Sequence, residues 1–224
     1  MPPGSVIWIV GNLFLASLPV ALAFGIARGL RRDAAAARPL RWGVWLPLLA
    51  VWLLFLPNTC YLLTEWRHYL CDIHDRSVYY PIYGRGQYPP AATFSLLSLT
   101  AFYLAYTGAG LAAFFLALWP LHRLARQRWG RAAEPARAAV CFLCSLGVFL
   151  GLAPRFNSWD VVHPALASAV LSTALQALLR PLLLASVCAF AAILWLLYAL
   201  FEIGMDGPTV RRSHRHRPVS RGEV

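Results

Sequence analysis

From Val6 to Ala27 the chain runs without a charged side chain, and the first charge after it is Arg28. About 20 mostly apolar residues are enough for a helix to cross the ~30 Å hydrocarbon core of a bilayer. Lipid offers no water to satisfy backbone N–H and C=O groups, so a run of this kind is stable only as a helix or in a closed barrel. Four further apolar stretches follow: Trp42–Leu56, Ala92–Trp119, Ala138–Ala153 and Leu182–Ile203. The second and fourth are short, and the second reaches spanning length only by continuing through Pro57 toward Leu63 with a kink. Composition agrees, since 59% of residues are hydrophobic and 13% charged, against about a quarter charged in soluble domains. The expected fold is an all-α integral membrane protein with five transmembrane helices. One polytopic domain covers residues 1–205, followed by a basic tail, 206–224, expected to be disordered.

The charges set an orientation. The chain has 20 basic residues, every one an Arg. Arg28, Arg31, Arg32, Arg38 and Arg41 lie between the first two spans, and Arg123, Arg126, Arg128, Arg131 and Arg137 between the third and fourth. Arg211, Arg212, Arg215, Arg217 and Arg221 crowd the tail. Short loops rich in Arg stay cytoplasmic, which puts the carboxy terminus inside and, with an odd number of crossings, the amino terminus outside. The same rule absorbs the formal net charge of +11, so no nucleic-acid partner is expected. Ala, Leu and Arg dominate as in a GC-rich bacterial genome, and the expected location is the bacterial inner membrane. Ala21-Leu22-Ala23 resembles a leader-cleavage site, but no basic residue precedes the apolar run, so cleavage is not expected.

Leu166–Leu179 is the one ambiguous stretch. Ser168, Ser172, Thr173 and Gln176 recur on one helical face opposite Leu171, Leu175 and Leu178. At this length it reads as an amphipathic interfacial helix; as a sixth span it would carry the Arg-rich tail outside. Small residues that allow close helix approach recur at Ala101, Ala105, Ala109, Ala113 and Ala117, and as Gly147 and Gly151. The five Cys read as small apolar side chains of a bundle.

Two polar motifs follow the short spans, on the extracytoplasmic side in this orientation. The first is Leu56-Pro57-Asn58-Thr59-Cys60-Tyr61-Leu62-Leu63-Thr64-Glu65-Trp66-Arg67-His68. As a helix it places Thr64, Glu65, His68 and Asp72 on one face and Leu62, Trp66, Tyr69 and Leu70 on the other, a second amphipathic interfacial segment. The second is Pro154-Arg155-Phe156-Asn157-Ser158-Trp159-Asp160-Val161-Val162-His163-Pro164. Paired Pro-interrupted apolar segments in corresponding positions point to a binding site, because irregular backbone persists at membrane depth only when buried or lining a wet cavity.

With L-P-N-T-C-Y, T-E-x-x-H and N-S-W-D, and with Asn12-Leu13-Phe14-Leu15-Ala16 in the first span, the chain resembles the domain of unknown function 1361 family of bacterial multipass membrane proteins. The resemblance covers most of the chain and implies membrane residence without an activity, cofactor or partner. In that family's pattern Ala-Pro stands where this chain has Thr59-Cys60, and Asp where it has Glu65. The family's W-x-D near the start of the third span has no counterpart between Tyr88 and Phe94.

The ligand-binding candidates are Asn58, Tyr61, Thr64, Glu65, His68, Arg155, Asn157, Ser158, Trp159 and Asp160, converging on one polar pocket that takes an envelope small molecule or a lipid headgroup. Charges at membrane depth need partners, so the rival reading is a non-catalytic assembly or stabilising subunit in which Arg155 pairs with Glu65 or Asp160. A third reading is an enzyme acting on a lipid-linked phosphate, with Glu65 and His68 as acid and base. Glu65-x-x-His68 and Asp160-x-x-His163 have spacing seen in metal bundles but lack the full carboxylate set, so neither metal nor cofactor is expected. Membrane lipids are the expected partners, and a homo-oligomer would double the small number of spans.

Overall fold

The computed structural model describes residues 3–37, 39, 41–66, 69–71 and 90–215; side chains at 3–6, 8, 90–95, 162 and 206–215 are outside the description. Every element among these residues is helical. In order they are α1 (Pro3–Ala35), α2 (Trp42–Phe55), α3 (Pro57–Tyr61), α4 (Pro90–Trp129), α5 (Ala133–Leu152), α6 (Pro164–Leu179) and α7 (Pro181–Arg215). Short 3-10 turns follow α3 (Leu62–Glu65), join α4 to α5 (Gly130–Ala132) and precede α6 (Ser158–Val162).

Four to five helices are long and apolar enough to span a membrane. The apolar segments are Ile9–Ala35, Trp42–Cys71, Leu96–Leu152 and Pro181–Met205. The third holds 57 residues, which as one helix would run about 86 Å, nearly three hydrocarbon cores. It breaks at Gly130, whose φ of +57° is a left-handed conformation that glycine adopts without steric cost. There α4 ends and α5 turns back. The short second segment does continue through Pro57: Leu56 N–H still donates to Trp52 O at 3.0 Å, and proline, which lacks an N–H, opens α3 at a position that needs none.

Side-chain contacts fix two ends of the bundle. His122 of α4, Arg137 of α5 and Glu202 of α7 meet at one end, and Arg28 of α1 shares a cavity there with Arg123 of α4. This arginine end gathers Arg28, Arg31 and Arg32 from the last turns of α1, Arg123 and Arg126 from those of α4, and Arg137 from α5. At the other end, the motif end, Asn58 of α3 meets Ser158. Between the ends, Ser145 of α5 donates to Val187 O of α7 at 2.8 Å, so α7 runs antiparallel to α5 and starts toward the motif end. Helix α6, a single unbroken helix, links the Ser158–Val162 turn to the start of α7, with Leu171, Leu175 and Leu179 exposed.

The core is assembled around α3. Leu56, Cys60, Phe114, Cys144, Leu194 and Tyr198 are wholly or almost wholly buried and draw on α3, α4, α5 and α7. Two glycines make room for this short helix. A Cβ at Gly110 of α4 would lie 2.6 Å from Leu62 Cβ and 2.7 Å from Thr59 O, and one at Gly147 of α5 would collide with the Pro57 ring. Close approach of this kind is how helices associate in lipid. The alanine repeat of α4 is used differently: Ala117 is buried in the core and Ala113 is partly buried, whereas Ala101, Ala105 and Ala109 face outward.

Residues 57–65 of the first motif sit inside the bundle, packed by α1, α4 and α5, rather than along its surface. Residues 62–65 form a 3-10 turn, and with three residues per turn positions 62 and 65 eclipse each other. Leu62 and Glu65 are both buried; positions i and i+3 are only about 60° apart on an α-helix as well, so dividing these two between opposite faces is too sharp.

Candidate functional site

At the motif end the two polar segments touch. Asn58 Nδ2 donates to Ser158 Oγ at 3.0 Å and to Phe55 O at 3.2 Å. The second donation satisfies a carbonyl at the end of α2; the first ties α3 to the 3-10 turn a hundred residues on. Beneath this bond lies a groove of about 360 Å³ between α2, α3, α5 and α6. Asn58, Tyr61, Asn157 and Ser158 contribute its polar lining, while Leu53, Leu143, Leu146 and Val170 form apolar wall. Among the described residues, no ionisable carboxylate, guanidinium or imidazole lines it.

The N-S-W-D segment owes its shape to its own polar groups. Asn157 is the N-cap of the Ser158–Val162 turn, and Asp160 reaches back to accept the Asn157 N–H at 2.7 Å, a capping box. Upstream, Arg155 adopts φ 62°, uncommon for a residue with a Cβ. That turn lets Phe156 N–H donate to Leu150 O at 3.1 Å as the chain folds back over the end of α5. Arg155 is exposed and makes no ion pair with Glu65, Asp160 or any other described residue. Trp159 is also exposed.

Glu65 is away from the groove. It is buried and engaged, 5% exposed, on the side of α3 that faces α4, where Tyr106 lies beside Asn12 and within electrostatic reach of Glu65 and Tyr61. Tyr106 Oη and Asn12 Nδ2 are both buried, and neither completes a hydrogen bond. Thr64 donates to Tyr61 O at 2.7 Å, which consumes its hydroxyl proton within the turn. His68, and with it the Glu65–His68 pair, lies outside the described residues, as do Asp72 and the Tyr79, Tyr80, Tyr83 and Tyr88 loop.

Asn58, Tyr61, Asn157 and Ser158 therefore come together, Glu65 and Thr64 belong to the neighbouring α3–α4 interface, and Arg155 and Trp159 project outward. Among the described residues, no group of three or more His, Cys, Asp and Glu side chains is arranged to hold a metal.

The largest charged cluster among the described residues is at the opposite end, and sequence reading passed over it. Glu202 Oε2 accepts from Arg137 at 2.7 Å, while its Oε1 lies 3.0 Å from His122 Nδ1 and 3.4 Å from Arg126. Arg137 also pairs with Glu134 at 2.6 Å, and its guanidinium lies over the Trp195 ring at 4.7 Å. With a neutral imidazole, two carboxylates balance two guanidiniums. Glu202 alone in an apolar helix, together with Glu134 and Arg137 at i, i+3, was the available signal.

No curated protein and no solved structure matches this chain. A family model, described as protein of unknown function (DUF1361), matches residues 11–197. That stretch takes in both motifs, the groove they line and all of the bundle except the first turns of α1 and the last of α7, so the chain belongs to the DUF1361 family of proteins of unknown function.

Proposed function

We propose that this chain is a five-span protein of the bacterial inner membrane, with α6 at the interface, the amino terminus outside and the carboxy terminus cytoplasmic. In this reading the motif end is extracytoplasmic and binds a lipid headgroup or a similar small envelope amphiphile. The carrying observation is the Asn58–Ser158 hydrogen bond at the rim of a groove whose deeper wall is Leu53, Leu143 and Leu146. A polar rim over an apolar trough suits a molecule with one hydrogen-bonding end and one hydrocarbon end. Because no ionised side chain among the described residues lines the groove, a hydroxyl- or amide-bearing headgroup fits better than a bare phosphate. The acid–base reading through Glu65 gains nothing from the groove, since Glu65 does not line it.

The rival, an assembly subunit whose polar motifs only hold the fold, draws support from the Asn157–Asp160 capping box, which is internal. Native mass spectrometry separates the two. Wild-type protein released from mild detergent carries a copurifying amphiphile, and Asn58→Ala loses it while its melting temperature stays within a few degrees. If wild type carries none, or the adduct survives Asn58→Ala, the groove is scaffolding.

A further inference from the structure

The positive-inside pattern explains how many arginines gather at the arginine end but not how four of them are arranged. Arg28, Arg31 and Arg32 of α1 follow i, i+3, i+4 spacing and so share one helical face. With Arg123 of α4 they surround a cavity of about 420 Å³ between the two helices. Phe24, Trp119 and Pro120 supply its apolar wall, and the Arg123 guanidinium lies 5.5 Å from the centre of the Trp119 ring. All four Arg are exposed, and none makes an ion pair with a described residue.

The contrast with the neighbouring cluster is informative. Arg126 and Arg137, at the same end, are matched by Glu134 and Glu202. The nearest acid to the cavity in sequence, Asp33, is buried and accepts Trp45 Nε1 at 3.0 Å, which ties it to α2. No carboxylate among the described residues lines the cavity. Four uncompensated cations beside an indole and a phenyl ring form a site for an anion that carries hydrocarbon.

We infer that the α1–α4 cavity at the arginine end binds the phosphate headgroup of an anionic phospholipid, with Arg28, Arg31, Arg32 and Arg123 holding the phosphate oxygens and Phe24 and Trp119 bordering the first acyl carbons. Guanidinium groups match phosphate oxygens in fork geometry, and basic pockets between helices at a membrane face take headgroups in this way. The site is separate from the motif-end groove and does not depend on what that groove binds.

The test uses delipidated full-length protein in detergent, titrated with phosphatidylglycerol or phosphatidylcholine and read by native mass spectrometry. Wild type binds phosphatidylglycerol in preference to phosphatidylcholine. Arg31→Gln/Arg123→Gln weakens the first by about tenfold or more and leaves the second unchanged. Arg128→Gln/Arg131→Gln removes the same charge at the same end, outside the cavity, and has little effect. Equal loss in both double variants would reduce the effect to net charge and overturn the site. So would inorganic phosphate displacing the lipid at matched concentration, since the apolar wall would then contribute nothing.

Discussion

Arg137 and Glu202 face each other at 2.7 Å across 65 residues of sequence, joining α5 to α7. Arg137 is 6% exposed, so its charge depends on its partners rather than on water. Breaking a buried pair by removing one member costs about 3–5 kcal/mol, because the other charge is stranded. Glu202→Ala should therefore lower the melting temperature sharply, while Arg137→Leu/Glu202→Leu should recover most of the loss. Equal melting of Glu202→Ala and wild type in detergent would show that the network carries no stability.

The glycines of α4 and α5 make a graded prediction. Gly110→Ala drives a methyl to 2.7 Å from the Thr59 carbonyl, a backbone atom that cannot swing aside; overpacking of this kind costs about 1–3 kcal/mol. Gly147→Ala meets Pro57 and should behave alike. At Gly151 the nearest atom to an added Cβ is 3.7 Å away, so Gly151→Ala should be tolerated. Thermal melts of the three variants give the order, and a Gly151→Ala variant as unstable as the others would contradict the packing.

Thiol accessibility checks the core. Cys60 and Cys144 are buried with their sulfurs 3.5 Å apart, Cys141 is buried beside them, and Cys71 and Cys188 are exposed. N-ethylmaleimide should modify Cys71 in native protein and Cys60, Cys141 and Cys144 only after denaturation, whereas Cys188, inside the Pro181–Met205 apolar segment, faces hydrocarbon and should label slowly. Early modification of Cys144, seen by intact-mass and peptide mapping, would mean that α3 and α5 are not packed as described.

Arg155 separates scaffold from site. Its left-handed φ costs an ordinary residue roughly 1–2 kcal/mol that glycine does not bear, and it has no ion pair with a described residue to lose. Arg155→Gly should leave the melting temperature nearly unchanged. A drop of many degrees would instead indicate that the guanidinium holds the two motifs together.

The helical class, the break between the third and fourth apolar stretches and the gathering of arginines at one end were legible because apolar length and charge position are local properties of the chain; that the turn falls at Gly130 was not read from the sequence. So was the pairing of the motifs, since each follows a short span and precedes a Pro-flanked return. The division of their side chains was not. A 3-10 turn at Leu62–Glu65 changes the angular step per residue, and no pattern of apolar residues reveals that change. The Glu202 cluster was hidden for a different reason. His122, Arg137 and Glu202 come from three helices, and only their packing shows that the arginines assigned to a loop end inside the bundle. Alanine spacing misled in part, because small residues recur on the outward face of α4 as well as on its buried one.

The account depends most on Asn58 and Ser158 being neighbours at the end of the bundle away from the arginines. With the native cysteines replaced, Asn58→Cys/Ser158→Cys in intact membranes should be joined by a short bifunctional thiol crosslinker, and Asn58→Cys/Arg123→Cys should not. Absence of the first crosslink under conditions where both thiols label singly, or its appearance in the second pair, would contradict the arrangement on which the groove rests.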